Sequence, residues 1–173
     1  MTTTSTDLRI RTATIADWPA IWPIWRRVVG AGETYVWDPA TDEPTARSLW
    51  MAPHPAVVFV AERTDPPSGP RVVGTALLKP VQPGLGAHVA NAGFMVDPDA
   101  AGGGVGRRLA EHVLDEARRS GYRAMQFNAV VEVNTRAVGL WRSLGFEVIG
   151  TVPRAFRHPT AGTVGLHIMH REL

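Results

Sequence analysis

The chain has 173 residues, 45% apolar and 20% charged, proportions ordinary for one globular domain with a sizeable core. Its formal charge of +2 is too small to argue for a nucleic-acid partner, and no apolar run approaches membrane-spanning length. The absence of cysteine excludes disulfides, zinc–thiolate sites and a thiol nucleophile.

In chain order, residues 1–7 read as a flexible tail ahead of a single domain over 8–173. The tail lacks a basic segment followed by an apolar stretch, so a cytoplasmic protein is expected. Leu8–Ala13 alternates as a first strand. A helix follows through Val29, with Ile21, Ile24, Trp25, Val28 and Val29 on one stripe. Pro23 is expected to kink or restart it, and Trp18, Trp22 and Trp25 fall at core spacing. The segment Gly30–Pro39 is a loop rich in aromatics, followed by a short helix around Glu43–Met51. Ala56–Ala61 and Arg71–Leu78 read as strands joined by a hairpin loop over Thr64–Pro70. His88–Asp97 is the next strand, Leu109–Ser120 a helix closed by Gly121, and Ala124–Val131 a strand. Asn134–Leu144 is a helix capped by Asn134 and closed by Gly145; Phe146–Val152 and Thr163–Arg171 are the last strands.

Between the His88–Asp97 strand and the Leu109 helix lies Ala-Gly-Gly-Gly-Val-Gly-Arg-Arg (Ala101–Arg108). A glycine loop that opens a helix leaves backbone N–H groups unpaired at the positive end of the helix dipole, a receptor for phosphate. No Lys-Ser or Lys-Thr follows these glycines, which excludes a Walker loop. Their spacing and late position fit a dinucleotide fingerprint poorly.

The loop follows a strand ending in Val-Asp-Pro, and Asn134-Thr-Arg-Ala-Val-Gly-Leu-Trp-Arg-Ser-Leu-Gly-Phe146 lies beyond it. Together the two segments resemble the pyrophosphate loop and the Asn-x-x-Ala-x-x-x-Tyr-x-x-x-Gly-Phe segment of GNAT-type N-acetyltransferases. The resemblance covers almost the whole chain. It implies an α/β (α+β) fold, a mixed, mostly antiparallel central sheet flanked by helices, with acetyl-CoA as acyl donor in the opening between two splayed parallel strands. It places pyrophosphate on Gly102, Gly103, Gly104, Val105, Gly106 and Arg107. It gives the thioester and pantetheine the backbone of Phe94, Met95 and Val96, and adds Asn134 and Trp141 to the cofactor side. Two departures stand out: the Gln or Arg that opens the family's loop is Ala101, and its thiol-protonating Tyr is Trp141.

Acetyl transfer to an amine needs a polarised thioester carbonyl, a neutral amine and a departing sulfur. Without cysteine, direct attack by the acceptor is the expected route. Some family members carry a Glu five residues before the motif's Asn, where this chain has Ala129. His88 and Glu132 are the candidate bases, each with a rival reading as a surface group. An indole N–H donates a hydrogen bond but delivers no proton at useful pH, so thiolate is expected to leave unaided with Trp141 packed beside the sulfur. The Gly32-Glu-Thr-Tyr35 loop and Ala155-Phe-Arg-His-Pro159 are similar to the subset that acetylates small amino acids and toxic analogues such as phosphinothricin. On that likeness Glu33 and Tyr35 border the acceptor, and Arg154 and Arg157 neutralise its carboxylate. The acceptor is then a small-molecule amine, with no metal, no membrane and no nucleic acid; the resemblance also admits a homodimer. The rival functions are acetylation of a protein N-terminus or lysine, and a non-catalytic acyl-CoA-binding module.

Overall fold

A computed structural model describes residues 7–64 and 69–173. Residues 1–6 of the expected tail and residues 65–68 of the hairpin loop lie outside the described residues. The elements are β1 (Asp7–Thr12), α1 (Trp18–Gly30), α2 (Glu43–Trp50), β2 (Val57–Thr64), β3 (Pro70–Pro80) and β4 (Val89–Val96). They continue with α3 (Val105–Arg119), β5 (Ala124–Val131), α4 (Thr135–Ser143), β6 (Glu147–His158) and β7 (Gly162–Glu172). The strands form one seven-stranded sheet in the order β1-β2-β3-β4-β5-β7-β6, antiparallel throughout except at β4–β5. This is the mixed, mostly antiparallel α/β architecture expected.

Hydrophobic patterning on the helices sets the two layers. α3 buries Val105, Leu109, Ala110, Val113, Leu114 and Ala117, a 3–4 stripe that packs on Val73, Ala76, Leu78 and Met125. On the opposite face, α1 and α2 bury Trp18, Ile21, Trp25, Ala46 and Trp50 against Val58, Val60, Leu77 and Met95. Of the α1 tryptophans, Trp18 and Trp25 are core residues, as their spacing suggests, and Trp22 is half-buried against them. Their rings form a stacked column, Trp18–Trp22–Trp25–Trp37–Tyr35, with successive centroids 5.9, 5.7, 5.6 and 4.9 Å apart.

Three local expectations are corrected. α1 runs through Pro23 without a break. The N–H that Pro23 lacks would have served the carbonyl of Pro19, an exposed first-turn residue whose carbonyl water can satisfy. α3 begins at Val105, four residues before Leu109, because Gly104 in the left-handed region (φ 75°) is already its N-cap. The segment Ala155–His158 belongs to β6 rather than to a loop, past an irregularity between Val152 and Phe156.

The parallel pair β4–β5 positions the site. The strands pair only at Val89↔Ala124 and Ala90↔Met125 and then part. At the point of divergence the Asn91 Nδ2 donates across the gap to the Gln126 carbonyl at 2.8 Å.

Candidate active site

The glycine loop is held from below by charge. The Asp97 carboxylate accepts from Arg27 of α1 at 3.0 Å, from Arg71 of β3 at 3.1 Å and from the Asp99 backbone N–H at 3.1 Å. One carboxylate thus ties two secondary elements to the stem of the loop. Gly102 (φ 85°) and Gly104 (φ 75°) then turn the chain through the left-handed region, where side chains cost about 1–2 kcal/mol. The first helical bond is Arg108 N–H to Gly104 O, and α3 has no side-chain cap. The N–H groups of Gly103 through Arg107 are therefore left facing outward among the described residues, an anion cradle. Gly104 through Arg107 line a cavity of about 420 Å³ with Gly102, Ala101, Arg136 and Trp141. The Arg107 guanidinium is committed to the Ser143 Oγ at 2.7 Å and lies 3.7 Å from Glu111. Arg136, in the first turn of α4, has no ion pair among the described residues.

The gap beside β4 is the second component. The bonds Asp97 N–H to Val73 O and Val81 N–H to Val89 O fix the ladder parity between β3 and β4. By alternation, the odd residues of β4 pair with β3, while the backbone groups of Ala92, Phe94 and Val96 face the gap left by β5. The backbones of Phe94 and Val96 thus face the gap. That of Met95, which the resemblance also gives to the cofactor, pairs with Thr75, and its side chain is buried on the α1 face. The Tyr35 hydroxyl reaches into the gap and donates to the Phe94 carbonyl at 2.9 Å. A Cβ on Gly93 would stand 3.1 Å from that hydroxyl and 3.3 Å from the Trp50 ring, so Gly93 lets both come so close.

Beyond the gap lies a cavity of about 270 Å³. Its walls include Tyr35, Trp37, Trp50, Phe127 and Trp141; its polar lining includes Lys79, Asn91, Asn128 and Asn134. Trp50 is fixed by a buried relay in which its indole N–H donates to Thr75 Oγ1 (3.0 Å) and Thr75 Oγ1 donates to the Phe59 carbonyl (2.8 Å). Phe94, Asn134, Ala137 and Trp141 line both cavities, so the cradle and the aromatic chamber adjoin across the sheet. At the junction Trp141 packs against Phe94 and Phe127, centroids 5.0 and 4.7 Å away. The Asn134 Oδ1 caps α4 by accepting from Ala137 N–H at 3.1 Å, which leaves its Nδ2 uncommitted.

The Acetyltransferase (GNAT) family model matches residues 18–146. The chain belongs to this family. It is 36% identical over 86 residues to N-acetyltransferase aca1 of Schizosaccharomyces pombe, a match spanning 50% of this chain and 41% of that protein. It is 29% identical over 147 residues to an L-methionine sulfoximine/L-methionine sulfone acetyltransferase of Pseudomonas aeruginosa, spanning 84% of this chain and 83% of that protein. The solved structure of a GCN5-related N-acetyltransferase from Kribbella flavida is 56% identical and superposes with a TM-score of 0.89 over 96% of this chain and 98% of that one.

Within this GNAT fold the expected site residues separate into two groups. Phe94, Val96, Gly102, Gly104, Val105, Gly106, Arg107, Asn134, Trp141 and Tyr35 line the two cavities. Gly103 sits in the cradle turn. The remaining candidates do not meet there. His88 is exposed at the paired start of β4, where its Nδ1 is 3.1 Å from the Leu85 carbonyl and its own carbonyl accepts from Arg123 N–H. Glu132 accepts from Gly165 N–H at 2.5 Å, tying β5 to β7. Glu33, Arg154 and Arg157 are exposed and line neither cavity.

The only ionisable side chains lining the aromatic chamber, among the described residues, are Tyr35 and Lys79. Burial pushes the Tyr35 phenol well above its usual range, so it stays a neutral donor to Phe94. No carboxylate or imidazole faces the chamber. Sequence reasoning missed Lys79, Asn91, Asn128 and Arg136. Lys79 did carry a signal: it is the sole lysine of the chain.

Proposed function

We propose that the chain transfers acetyl from acetyl-CoA directly to the amine of a small molecule, an amino acid or toxic analogue among the candidates. The observation that carries this reading is the pair of adjoining cavities, an anion cradle on one side and a small aromatic chamber on the other. Bound acetyl-CoA supplies an activated acyl thioester with a thiolate leaving group. The amides of Gly103 to Arg107 hold the pyrophosphate, and Arg136 adds the positive charge that Ala101 does not. The gap-facing groups of Ala92, Phe94 and Val96 hold the pantetheine arm and aim an N–H at the thioester oxygen. Tyr35 fixes the Phe94 peptide that carries this alignment.

The chamber chooses the acceptor. At about 270 Å³ it is smaller than the usual range for drug-sized ligands, which favours a small amine over a folded protein's side chain. With no carboxylate or imidazole on its walls, the chamber takes the amine in its neutral form, the proton passing to water. His88 and Glu132 take no part in this reading. Trp141 shields the sulfur and gives it no proton; a thiol of ordinary pKa, roughly 8–9, leaves well enough as thiolate. The Pseudomonas relative's named substrates, both amino-acid analogues, support an acceptor of this size.

The test is thiol release from acetyl-CoA, followed with a chromogenic disulfide, across amino acids, cyclic imino acids, polyamines and peptides. The chain has no cysteine and so adds no thiol background of its own. Release dependent on small amino acids or their analogues is expected. Release with peptides alone would move the enzyme to protein acetylation. Binding of acetyl-CoA with no release for any acceptor would make it a binding module.

A further inference from the structure

One cation lines the acceptor chamber, on an exposed side chain, and it is the chain's sole lysine against seventeen arginines. β3 places Leu77 and Lys79 on the same face, and the register sets Lys79 opposite Asn91 and Leu77 opposite Gly93. All four line the chamber. The Lys79 side chain makes no hydrogen bond or ion pair among the described residues. Asn91, the register partner of Lys79, commits its Nδ2 to Gln126, which leaves its Oδ1 as a spare acceptor. The rest of the polar lining, Asn128 and Asn134 included, is uncharged.

An exposed ammonium at the edge of an aromatic chamber still offers an incoming carboxylate a charge-assisted hydrogen bond. The same cation repels a second ammonium, and no wall carboxylate compensates. Lys79 also lies three registered pairs from Ala76↔Phe94, the level of the gap-facing peptide that Tyr35 holds. At roughly 3.3–3.4 Å per strand residue, that is about 10 Å of backbone. A lysine side chain spans part of this and a small amino acid the rest.

From this placement we infer that Lys79 anchors the acceptor's carboxylate, so that the acceptor class is small amines bearing a carboxylate a few bonds from the nitrogen. Arg154 and Arg157, exposed and away from both cavities, do not do this. The inference rests on the acetyltransferase reading and narrows its substrate; polyamines are excluded from the chamber.

The experiment pairs L-methionine sulfone and L-proline, each with its primary amide, which deletes the charge and keeps the shape. Binding to the CoA-loaded protein is followed by the fluorescence of the chamber tryptophans Trp37, Trp50 and Trp141. Turnover of the same compounds is read as thiol release. At least one acid is expected to bind tenfold or more tightly than its amide. Lys79→Met erases that preference through KM rather than kcat, and Lys79→Arg keeps part of it. Equal affinity for acid and amide in both pairs, absence of binding included, overturns the anchor, as does a preference that survives Lys79→Met. Preference in binding without thiol release sinks the transferase reading and leaves the anchor standing. Thiol release without preference does the reverse.

Discussion

Trp141 stands where the family's motif has a tyrosine, at the junction of the two cavities and against Phe94 and Phe127. If its work is packing, restoring a phenol brings nothing to the chemistry. Trp141→Tyr is expected to leave kcat without gain, and Trp141→Ala to raise the KM for acetyl-CoA roughly tenfold through lost ring contacts. A tenfold rise in kcat for Trp141→Tyr would show that an acid was missing. The absence of a wall carboxylate or imidazole makes a second prediction. The rate should rise with pH along the acceptor's own amine titration, so that an acceptor with a less basic amine shifts the kcat/KM profile to lower pH by the same interval. A rising limb fixed in position across acceptors would point instead to a titrating base on the protein. Tyr35 stays protonated throughout, because burial raises its pKa and the neutral form persists across neutral pH. Tyr35→Phe leaves the Phe94 carbonyl without its donor, a loss of about 1–3 kcal/mol if water does not replace it, visible as a lower Tm and weaker acetyl-CoA binding.

At the scale of elements, the glycine turn and the helix behind it behave as one unit. Gly104 has room for a side chain but not the backbone angle for one, since nothing lies within 4 Å of its would-be Cβ while its φ is +75°. Gly104→Ala is therefore expected to cost roughly 1–2 kcal/mol, a fall of a few degrees in Tm, and to weaken acetyl-CoA binding as the cradle amides turn. Unchanged Tm and affinity would show that the loop tolerates another conformation. The cradle was legible in the sequence because its parts are contiguous: strand end, glycines, helix. The strand and helix order was legible for a similar reason, since periodicity is local. The start of α3 was not, because the run of glycines hides a helical turn that only burial of Val105 reveals. Nor was the acceptor chamber. Lys79 and Asn91 meet through strand register, and Asn128 joins them from beyond a crossover, a juxtaposition no local spacing encodes. His88 shows the converse: adjacency in sequence to the β4 strand put it at the paired end, away from the gap.

Across the described residues, the sheet separates two helical layers, and the site lies where β4 splays from β5. Charge clusters hold the margins of this assembly. Arg11 donates to both Asp17 and Glu62, joining β1 to the turn before α1 and to β2. The guanidinium holds the Asp17 carboxyl down at about 2, below its ordinary 3.8. A depressed carboxylate stabilises the fold above its unfolded pKa and loses that contribution as pH falls through the folded one. Acid unfolding followed by circular dichroism should therefore show Asp17→Asn less stable than the parent at neutral pH, with the difference closing between about pH 4 and pH 2. A constant difference through that window would place the effect outside the ion pair. The central claim concerns the adjoining cavities, with donor and acceptor meeting there at once. The measurement that tests it most directly is the initial rate of thiol release with acetyl-CoA and a carboxylate-bearing acceptor varied together. Direct transfer predicts intersecting double-reciprocal lines and no exchange of label between acetyl-CoA and free CoA while the acceptor is absent. Parallel lines, or exchange without acceptor, would mean that the acetyl group rests on the protein first and would contradict the account.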